Sequence, residues 1–186
     1  THAEAPWPVI LDGDTVVDQS AMEAKNRFPK GGPMASVHGR VFVATPYAYD
    51  KLNNAFTDNI GMTGWVAGDL AFSEEPERIL QFTEGTYLNE GGRIDLPEEL
   101  GEITAMSVQQ NVSDGTGQGP LIVGAQDGFA SYQVNAPRVQ WKDIDLGVVN
   151  FSGCGTVSPR SLVQLNADTH YRSTDGIRSY LRTVQT

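Results

Sequence analysis

Asp127-Gly128-Phe129-Ala130-Ser131-Tyr132 is the stretch that decides the fold, because it recurs 48 residues later as Asp175-Gly176-Ile177-Arg178-Ser179-Tyr180. Each copy of this Asp-Gly repeat follows an apolar or alternating run, at residues 121–123 and 169–172, and continues into residues of strand-like period. Glycine accepts positive φ without a Cβ clash, and aspartate tolerates the left-handed region, so Asp-Gly favours a tight turn between strands. Each copy therefore predicts a β-hairpin.

The repeat period indicates an architecture of stacked units. Strand-like runs precede both hairpins, at residues 101–108 and 156–163, and a weaker third copy, Gly68-Asp69, comes after a strand-like run at residues 37–43. We interpret Gly68 and Asp69 as turn residues like the two Asp-Gly pairs. A period of about 40 to 50 residues built from short strands is the size of a propeller blade, which must stack on neighbours to bury its faces.

The sequence therefore predicts an all-β fold with about three to four antiparallel blades of a β-propeller or a propeller-like array. Residues 1–34 are expected to form an N-terminal extension or linker. Residues 35–186 are expected to form the propeller-like domain, with units at roughly 35–84, 85–140 and 141–186. Three blades do not close a ring of about four to eight, so a larger chain or further copies would have to complete it.

The composition of the 186-residue chain fits many turns between short strands, with 20 glycines, 10 prolines and a hydrophobic share of 39% that suffices for a core. Minor short helices are predicted near residues 18–28, where Ser20 and Glu23 are spaced as in a capping box, and near residues 49–56. Pro97 opens one further helical turn at residues 97–100. No apolar run reaches the roughly 18 residues of a membrane span, and the first residues lack a signal-peptide pattern.

The net charge of −10 argues against a surface that grips nucleic acid, which needs clustered lysine and arginine. It is compatible with a wall that repels phosphate and lets a duplex pass. The single cysteine, Cys154, cannot form an intrachain disulfide. Because no histidine is close to it in the sequence to lower its pKa, we expect a small buried side chain rather than a nucleophile.

Three motifs invite a chemical interpretation that their context does not favour. The glycine-rich residues 115–120 lead into a strand rather than a helix, so a flexible loop is favoured over a phosphate site. The carboxylate pairs at residues 12 and 14 and at residues 143 and 145 lack the spacing of a calcium loop. Glu74 and Glu75 precede Pro76, with Glu77 after it, and are more simply a charged loop than a glycosidase pair. We predict no catalytic residue and no cofactor.

The remaining candidates are histidines, tryptophans and arginines. His2, His38 and His170 are too scattered to form a metal site, and none is predicted. Trp65 and Trp141 are expected to fill the space between sheets. The densest positive cluster is a candidate interface with another subunit and consists of Arg172, Arg178 and Arg182.

Several stretches resemble large virion structural proteins of tailed bacteriophages. They are FTEGTYLNEGG at residues 82–92, LPEELGEITAM at 96–106, GTGQGPL at 115–121, APR at 136–138, WKD at 141–143 and NADTHYRSTDGIRS at 166–179. The resemblance implies a β-propeller region in a tail or neck protein, similar to the nozzle or tail-tube component of short-tailed phages. It also implies ring-like homo-oligomers that assemble with other virion structural proteins around the DNA exit channel. Relatives of this kind continue well beyond the last of these stretches.

The leading hypothesis is therefore a non-enzymatic structural component of the virion tail or neck, without sequence-specific nucleic-acid binding and without a membrane span. One alternative is a host-receptor or glycan-binding module that uses loops such as residues 111–119, since loops on rigid β-scaffolds commonly carry recognition. Another is a glycan-cleaving enzyme that uses Glu74 and Glu75.

Overall fold

A computed structural model describes residues 10–12, 14–21, 27–50, 52–53, 55–70, 80–82, 92–110, 117–141 and 143–185. These residues form sixteen short strands and one α-helix. In chain order the elements are β1 (Ile10–Asp12), β2 (Thr15–Val17), β3 (Met34–Val37), β4 (Arg40–Thr45), β5 (Tyr49–Asp50), β6 (Ala55–Phe56), β7 (Gly64–Leu70), β8 (Leu80–Gln81), β9 (Ile94–Asp95), β10 (Ile103–Gln110), β11 (Gln118–Ala125), β12 (Gly128–Tyr132), β13 (Gly147–Ser152), β14 (Leu162–Leu165), β15 (Asp168–Ser173), β16 (Gly176–Ser179) and α1 (Tyr180–Gln185).

The strands pair antiparallel in three main sheets, which confirms the all-β prediction. The first sheet has the order β3-β4-β7-β8, with β9 pairing the other end of β7. The second has the order β10-β11-β12-β13, and the third has the order β14-β15-β16. Two small ribbons, β1-β2 and β5-β6, complete the described strands. The second sheet extends to the end of β13, past the unit boundary expected near residue 140, because β13 pairs with β12 along its length.

The three sheets are stacked face to face in series, and aromatic rings fill the first interface. Trp65 of β7 is fully buried there, and its ring centroid lies 5.5 Å from that of Phe42, 5.0 Å from that of Tyr132 and 6.1 Å from that of Trp141. These contacts are edge-to-face, the arrangement that aromatic quadrupoles favour. The prediction that both tryptophans lie between sheets is confirmed.

The second interface joins the second and third sheets around Phe129. The centroid of its ring lies 4.6 Å from the ring centroid of Tyr171, 5.1 Å from that of Phe151 and 5.7 Å from that of Tyr180. Alternate residues of β11 serve the two interfaces, since Leu121 and Val123 pack toward the first sheet and Ile122 toward the third. Burial on both faces explains why this strand is apolar at successive positions.

The outer face of the first sheet is partly covered by the chain itself. Val43, Val66 and Phe82 are buried there, and Phe28 packs edge-to-face on Phe82 at 4.9 Å. Gly68 lies under this ring, because a Cβ at that position would come within 2.8 Å of the Phe82 Cζ atom.

Gly68 and Asp69 are therefore not turn residues, and that prediction is wrong. Both lie inside β7, where they pair with Val41 and Arg40 of β4. Glycine at position 68 serves the close approach of a ring rather than a chain reversal. The run predicted as one strand at residues 37–43 is instead a hairpin, since His38 and Gly39 adopt φ of 51° and 69° in a two-residue turn between β3 and β4.

Both predicted Asp-Gly hairpins are confirmed, with the turn placed one residue earlier than expected. The two residues between the strands are Gln126-Asp127 in one hairpin and Thr174-Asp175 in the other, so each glycine begins the following strand. None of these four turn residues has a positive φ. The geometry matches turns that favour glycine at their fourth position rather than at their centre.

The helix predicted near residues 49–56 is wrong. Tyr49 and Phe56 belong to the paired strands β5 and β6, and their rings are in edge-to-face contact at 5.7 Å. The Asp50 carboxylate accepts hydrogen bonds from the backbone N–H groups of Leu52 and Asn53, at 2.8 and 3.3 Å. This side-chain turn competes with the helix and reverses the chain.

The helix predicted near residues 18–28 is reduced to one 3₁₀ turn, Gln19–Ala21, in the part that the structure describes. Ser20 does not cap it, because the cap is the Asp18 carboxylate, which accepts from the Ser20 backbone and hydroxyl at 2.9 and 2.7 Å. Glu23 lies outside the described residues. The predicted helical turn after Pro97 is confirmed as the 3₁₀ turn Glu98–Leu100.

Candidate assembly surface

The third sheet presents an outer face whose large apolar side chains are left exposed by the residues that the structure describes. Cross-strand partners share a side of a sheet, and the pairs Val163 with His170, Leu165 with Asp168, and Arg172 with Ile177 all lie on this side. The three apolar side chains are open to solvent, Val163 by 51%, Leu165 by 54% and Ile177 by 82%. This outer face is therefore an apolar strip around Arg172, with Asp168 and His170 beside it.

The register shows that this face is the counterpart of a buried one. Phe129 pairs with Gly124 in the second sheet, and Ile177 pairs with Arg172 in the third, so the 48-residue offset holds for both strands of each hairpin. By the same offset Ile122 corresponds to His170. In the second sheet these positions are fully buried under the third sheet. In the third sheet Arg172 and Ile177 are exposed, whereas His170 is half-buried.

The three arginines of the candidate interface surround the β16 edge of the third sheet without sharing one face. Arg172 lies on the outer face. Arg178 lies opposite Tyr171 on the other side, where its guanidinium donates to Ser173 Oγ at 3.2 Å and to Asp175 at 3.4 Å. Arg182 comes from α1. A shallow groove of about 460 Å³ along this edge is lined by His170, Ile177, Arg178, Ser179, Arg182 and Thr183.

Asp168 fixes the junction between the sheet and α1. Its carboxylate accepts from Ser179 Oγ at 2.5 Å and from the Leu181 backbone N–H at 3.1 Å, and it lies 3.9 Å from His170 Nε2. Burial alone would raise the pKa of Asp168. The hydrogen bonds from Ser179 and Leu181, together with the charge of His170, outweigh burial and lower this pKa. Asp168 is thus ionised and already engaged at neutral pH.

On the inner side of the third sheet, the Tyr171 hydroxyl lies close to the thiol of Cys154 and the hydroxyl of Thr183. Tyr171 Oη lies 3.7 Å from Cys154 Sγ and 3.4 Å from Thr183 Oγ1. The pKa of Tyr171 is raised to about 12, mainly by burial. The hydrogen bond with Thr183 lowers this pKa, and Cys154 raises it further. Cys154 is a free thiol that packs against the Phe129 cluster and is only partly buried.

A second concave feature lies between β9 and the loop that joins β12 to β13. This cleft has a volume of about 320 Å³, and its wall includes Tyr132 and Trp141. Its lining also includes the exposed carboxylates of Asp95 and Asp145. Burial, opposed by Trp65 and reinforced by Asp95, raises the pKa of Tyr132 to about 12. The phenol is therefore neutral at physiological pH.

Arg93 directly precedes β9 and bonds Asp95, one of the residues that line this cleft. The side chain is buried, and its Nε bonds Asp95 at 2.8 Å while its remaining nitrogens donate to Thr45 O, at 2.5 Å, and to Thr63 Oγ1, at 2.9 Å. A planar guanidinium is suited to joining three segments in this way. Nothing in the local sequence around Arg93 distinguishes it from a surface arginine, so this role is not predictable from the sequence pattern.

Other predicted sites fall partly outside the described residues. Glu74, Glu75 and most of the loop at residues 111–119 lie there. Within the described part, Gln118 accepts from the His38 backbone N–H at 2.6 Å, which joins the end of this loop to the β3–β4 turn. The described residues contain no group of three or more His, Cys, Asp or Glu side chains that could hold a metal ion.

Comparisons with protein-family models, curated proteins and solved structures gave no match for this chain. None of the helices that the structure describes is long and apolar enough to cross a membrane.

The apolar half of the outer face was not predicted, although the sequence carries a signal for it. Alternation in residues 168–173 indicates which side of β15 carries His170 and Arg172. The repeat then assigns Ile177 to the position of Phe129. Comparing the two copies position by position would have identified a large apolar residue on the same side as the arginine.

Proposed function

We propose that this protein is a non-enzymatic structural component of a tailed-bacteriophage virion, located in the tail or neck, where it contributes to assembly by stacking of β-sheets. The observation that carries the proposal is the series of three face-to-face antiparallel sheets, the last of which leaves large apolar side chains exposed on its outer face. Units of this kind gain stability from each neighbour that stacks on them. The resemblance of residues 82–179 to virion proteins supports the same role.

The charge of the chain supports a position near packaged DNA. A net charge of −10 gives a surface that repels phosphate. Such a surface fits the wall of a DNA exit channel, because passing DNA would not adhere to it. The proposal includes a ring-like homo-oligomer and other virion structural proteins as partners, with no sequence-specific contact to nucleic acid.

Purified particles provide the test. Mass spectrometry of particles from the phage that encodes this chain is expected to detect it at a fixed copy number, and antibody labelling with electron microscopy is expected to locate it at the tail or neck. A host-cell protein of similar abundance serves as the control for contamination. Absence of the chain from particles that infect normally would refute the proposal.

The cleft beside β9 favours a second candidate function, recognition of a host receptor or glycan. Its carboxylates, Asp95 and Asp145, can accept hydrogen bonds from sugar hydroxyls beside an apolar wall. A glycan array with the purified chain tests this candidate. Binding that disappears in Asp145→Ala would support it, and an array without signal for the folded protein would count against it.

A further inference from the structure

We infer that the outer face of the third sheet, with Val163, Leu165 and Ile177 around Arg172, is the docking surface for a β-sheet of a second virion protein. That sheet would present apolar side chains to the strip and a carboxylate to Arg172. The inference rests on the proposed function for the place where the two proteins meet.

The outer face of the third sheet corresponds, position by position, to the side of the second sheet that the third sheet covers. There the outer side of the second sheet, with Ile122 and Phe129, is covered by Leu162, Tyr171 and Tyr180 of the following unit. Ile177 has the register position of Phe129 but is 82% exposed. A sheet stacked on the third in the same way would cover Ile177 as Tyr171 covers Phe129. The occupant is therefore a sheet rather than an isolated strand or a helix.

Arg172 places an uncompensated positive charge on this face. The guanidinium of Arg172 makes no hydrogen bond or ion pair with any described residue. The carboxylates nearby are already engaged, Asp168 with Ser179 and Leu181, and Asp175 with Arg178. Covering Arg172 without a partner would leave a buried unpaired charge, which is costly. A docking partner must therefore supply an acidic group.

A second copy of this chain does not supply that surface among the described residues. The outer face of its first sheet is partly covered by its own Phe28, which packs on Phe82, and Met34 of β3 is the one large apolar side chain that is exposed among those described on that face. Its third sheet carries the same Arg172 as the face it would meet, and its Asp168 is already engaged by Ser179 and Leu181. A different protein with an acidic and apolar sheet fits better than self-association.

Cysteine accessibility provides the experiment. In a Cys154→Ser background, Ile177→Cys and Val163→Cys each introduce one thiol on the outer face, and Leu52→Cys introduces a control thiol at a site that is 96% exposed. The rate of alkylation by N-ethylmaleimide is measured in the isolated chain, in lysate of phage-producing cells and in purified particles. We expect alkylation at positions 177 and 163 to slow at least about tenfold on assembly, with no change at position 52.

Charge dependence identifies the chemistry of the partner. Added to the Ile177→Cys chain, Arg172→Glu is expected to abolish the protection of the thiol at position 177, whereas Arg172→Lys is expected to retain most of it. Equal alkylation in all three samples would overturn the inference, and so would concentration-dependent protection in the isolated chain, which would indicate a second copy. If the thiols at positions 177 and 163 are protected in lysate but the chain is absent from particles, the proposed function is refuted and the docking surface is still supported. If the chain is present in particles but these thiols are not protected, the docking surface is refuted and the proposed function is still supported.

Discussion

At the residue scale, the glycines of the two Asp-Gly copies occupy the same position for different physical reasons. Gly176 has a φ of 140° and open space where a Cβ would be. Gly128 has no positive φ, but a Cβ there would clash with the Phe151 carbonyl oxygen and lie 2.7 Å from Leu100 Cδ2. Gly176 therefore supplies a conformation that other residues avoid, and Gly128 allows β12 to pass close to β13.

Alanine substitution separates these two roles. Gly128→Ala is expected to lower the free energy of unfolding by about 3 kcal/mol, because backbone cannot move aside as a flexible side chain can. Gly176→Ala is expected to cost about 1 to 2 kcal/mol, from backbone strain alone. Gly153→Ala is the control for strain, since Gly153 has a φ of 88° and open space. Urea unfolding followed by tryptophan fluorescence measures all three. A larger loss at Gly176 than at Gly128 would contradict this account.

Asp168 makes stability depend on pH in the acid range. Its folded pKa is lowered from 3.8, so its carboxylate stabilises the fold fully above that value, and this contribution is lost as the pH falls through the lower folded pKa. Asp168→Ala is expected to cost about 1 kcal/mol at pH 7, as for loss of a helix cap. The difference from the wild type should shrink as the pH falls below 3.8. Thermal unfolding at about pH 7 and about pH 3 measures it, and an undiminished difference in acid would contradict the assignment.

At the element scale, the sequence predicted what depends on local pattern and failed where side chains act at a distance. Alternation and Asp-Gly predicted both hairpins. The β5–β6 ribbon was mistaken for a helix because the turn that Asp50 forms is a competition between side chain and helix that propensity does not resolve. Gly68 was mistaken for a turn residue because Phe82, whose ring covers it, is distant in sequence. The uncovered outer face was missed because exposure depends on how sheets stack.

Arg93 is the strongest test of a distant contact between elements. Because its guanidinium joins β9 to the ends of β4 and β7, Arg93→Lys is expected to lower the free energy of unfolding by about 2 kcal/mol, and Arg93→Ala by about 3 kcal/mol, as buried carbonyls lose their donor. Asp95→Asn is the control, with a change below about 1 kcal/mol because that side chain is 46% exposed. Urea unfolding measures the series. Full stability of Arg93→Lys would show that charge alone is sufficient.

At the scale of the whole molecule, the stack has a direction. Its first outer face is partly covered by Phe28 on Phe82, and its last carries exposed Val163, Leu165 and Ile177. The second sheet, between them, buries both faces, so the energetic role of a repeat position depends on its place in the series rather than on the residue alone. The net charge adds a second asymmetry, since an acidic chain carries its densest arginine cluster around one terminal sheet edge.

The repeat-equivalent pair Phe129 and Ile177 tests this dependence on position. Phe129→Ala is expected to lower the free energy of unfolding of the isolated chain by about 3 to 5 kcal/mol, because it leaves a cavity between the second and third sheets. Ile177→Ala is expected to change it by less than about 0.5 kcal/mol, since the side chain is 82% exposed and no described residue covers it. Urea unfolding of both variants gives the comparison, with Leu52→Ala as the matched exposed control. A loss above about 1 kcal/mol for Ile177→Ala in the monomeric chain would mean that this face is already covered, and the stack would then not end at the third sheet.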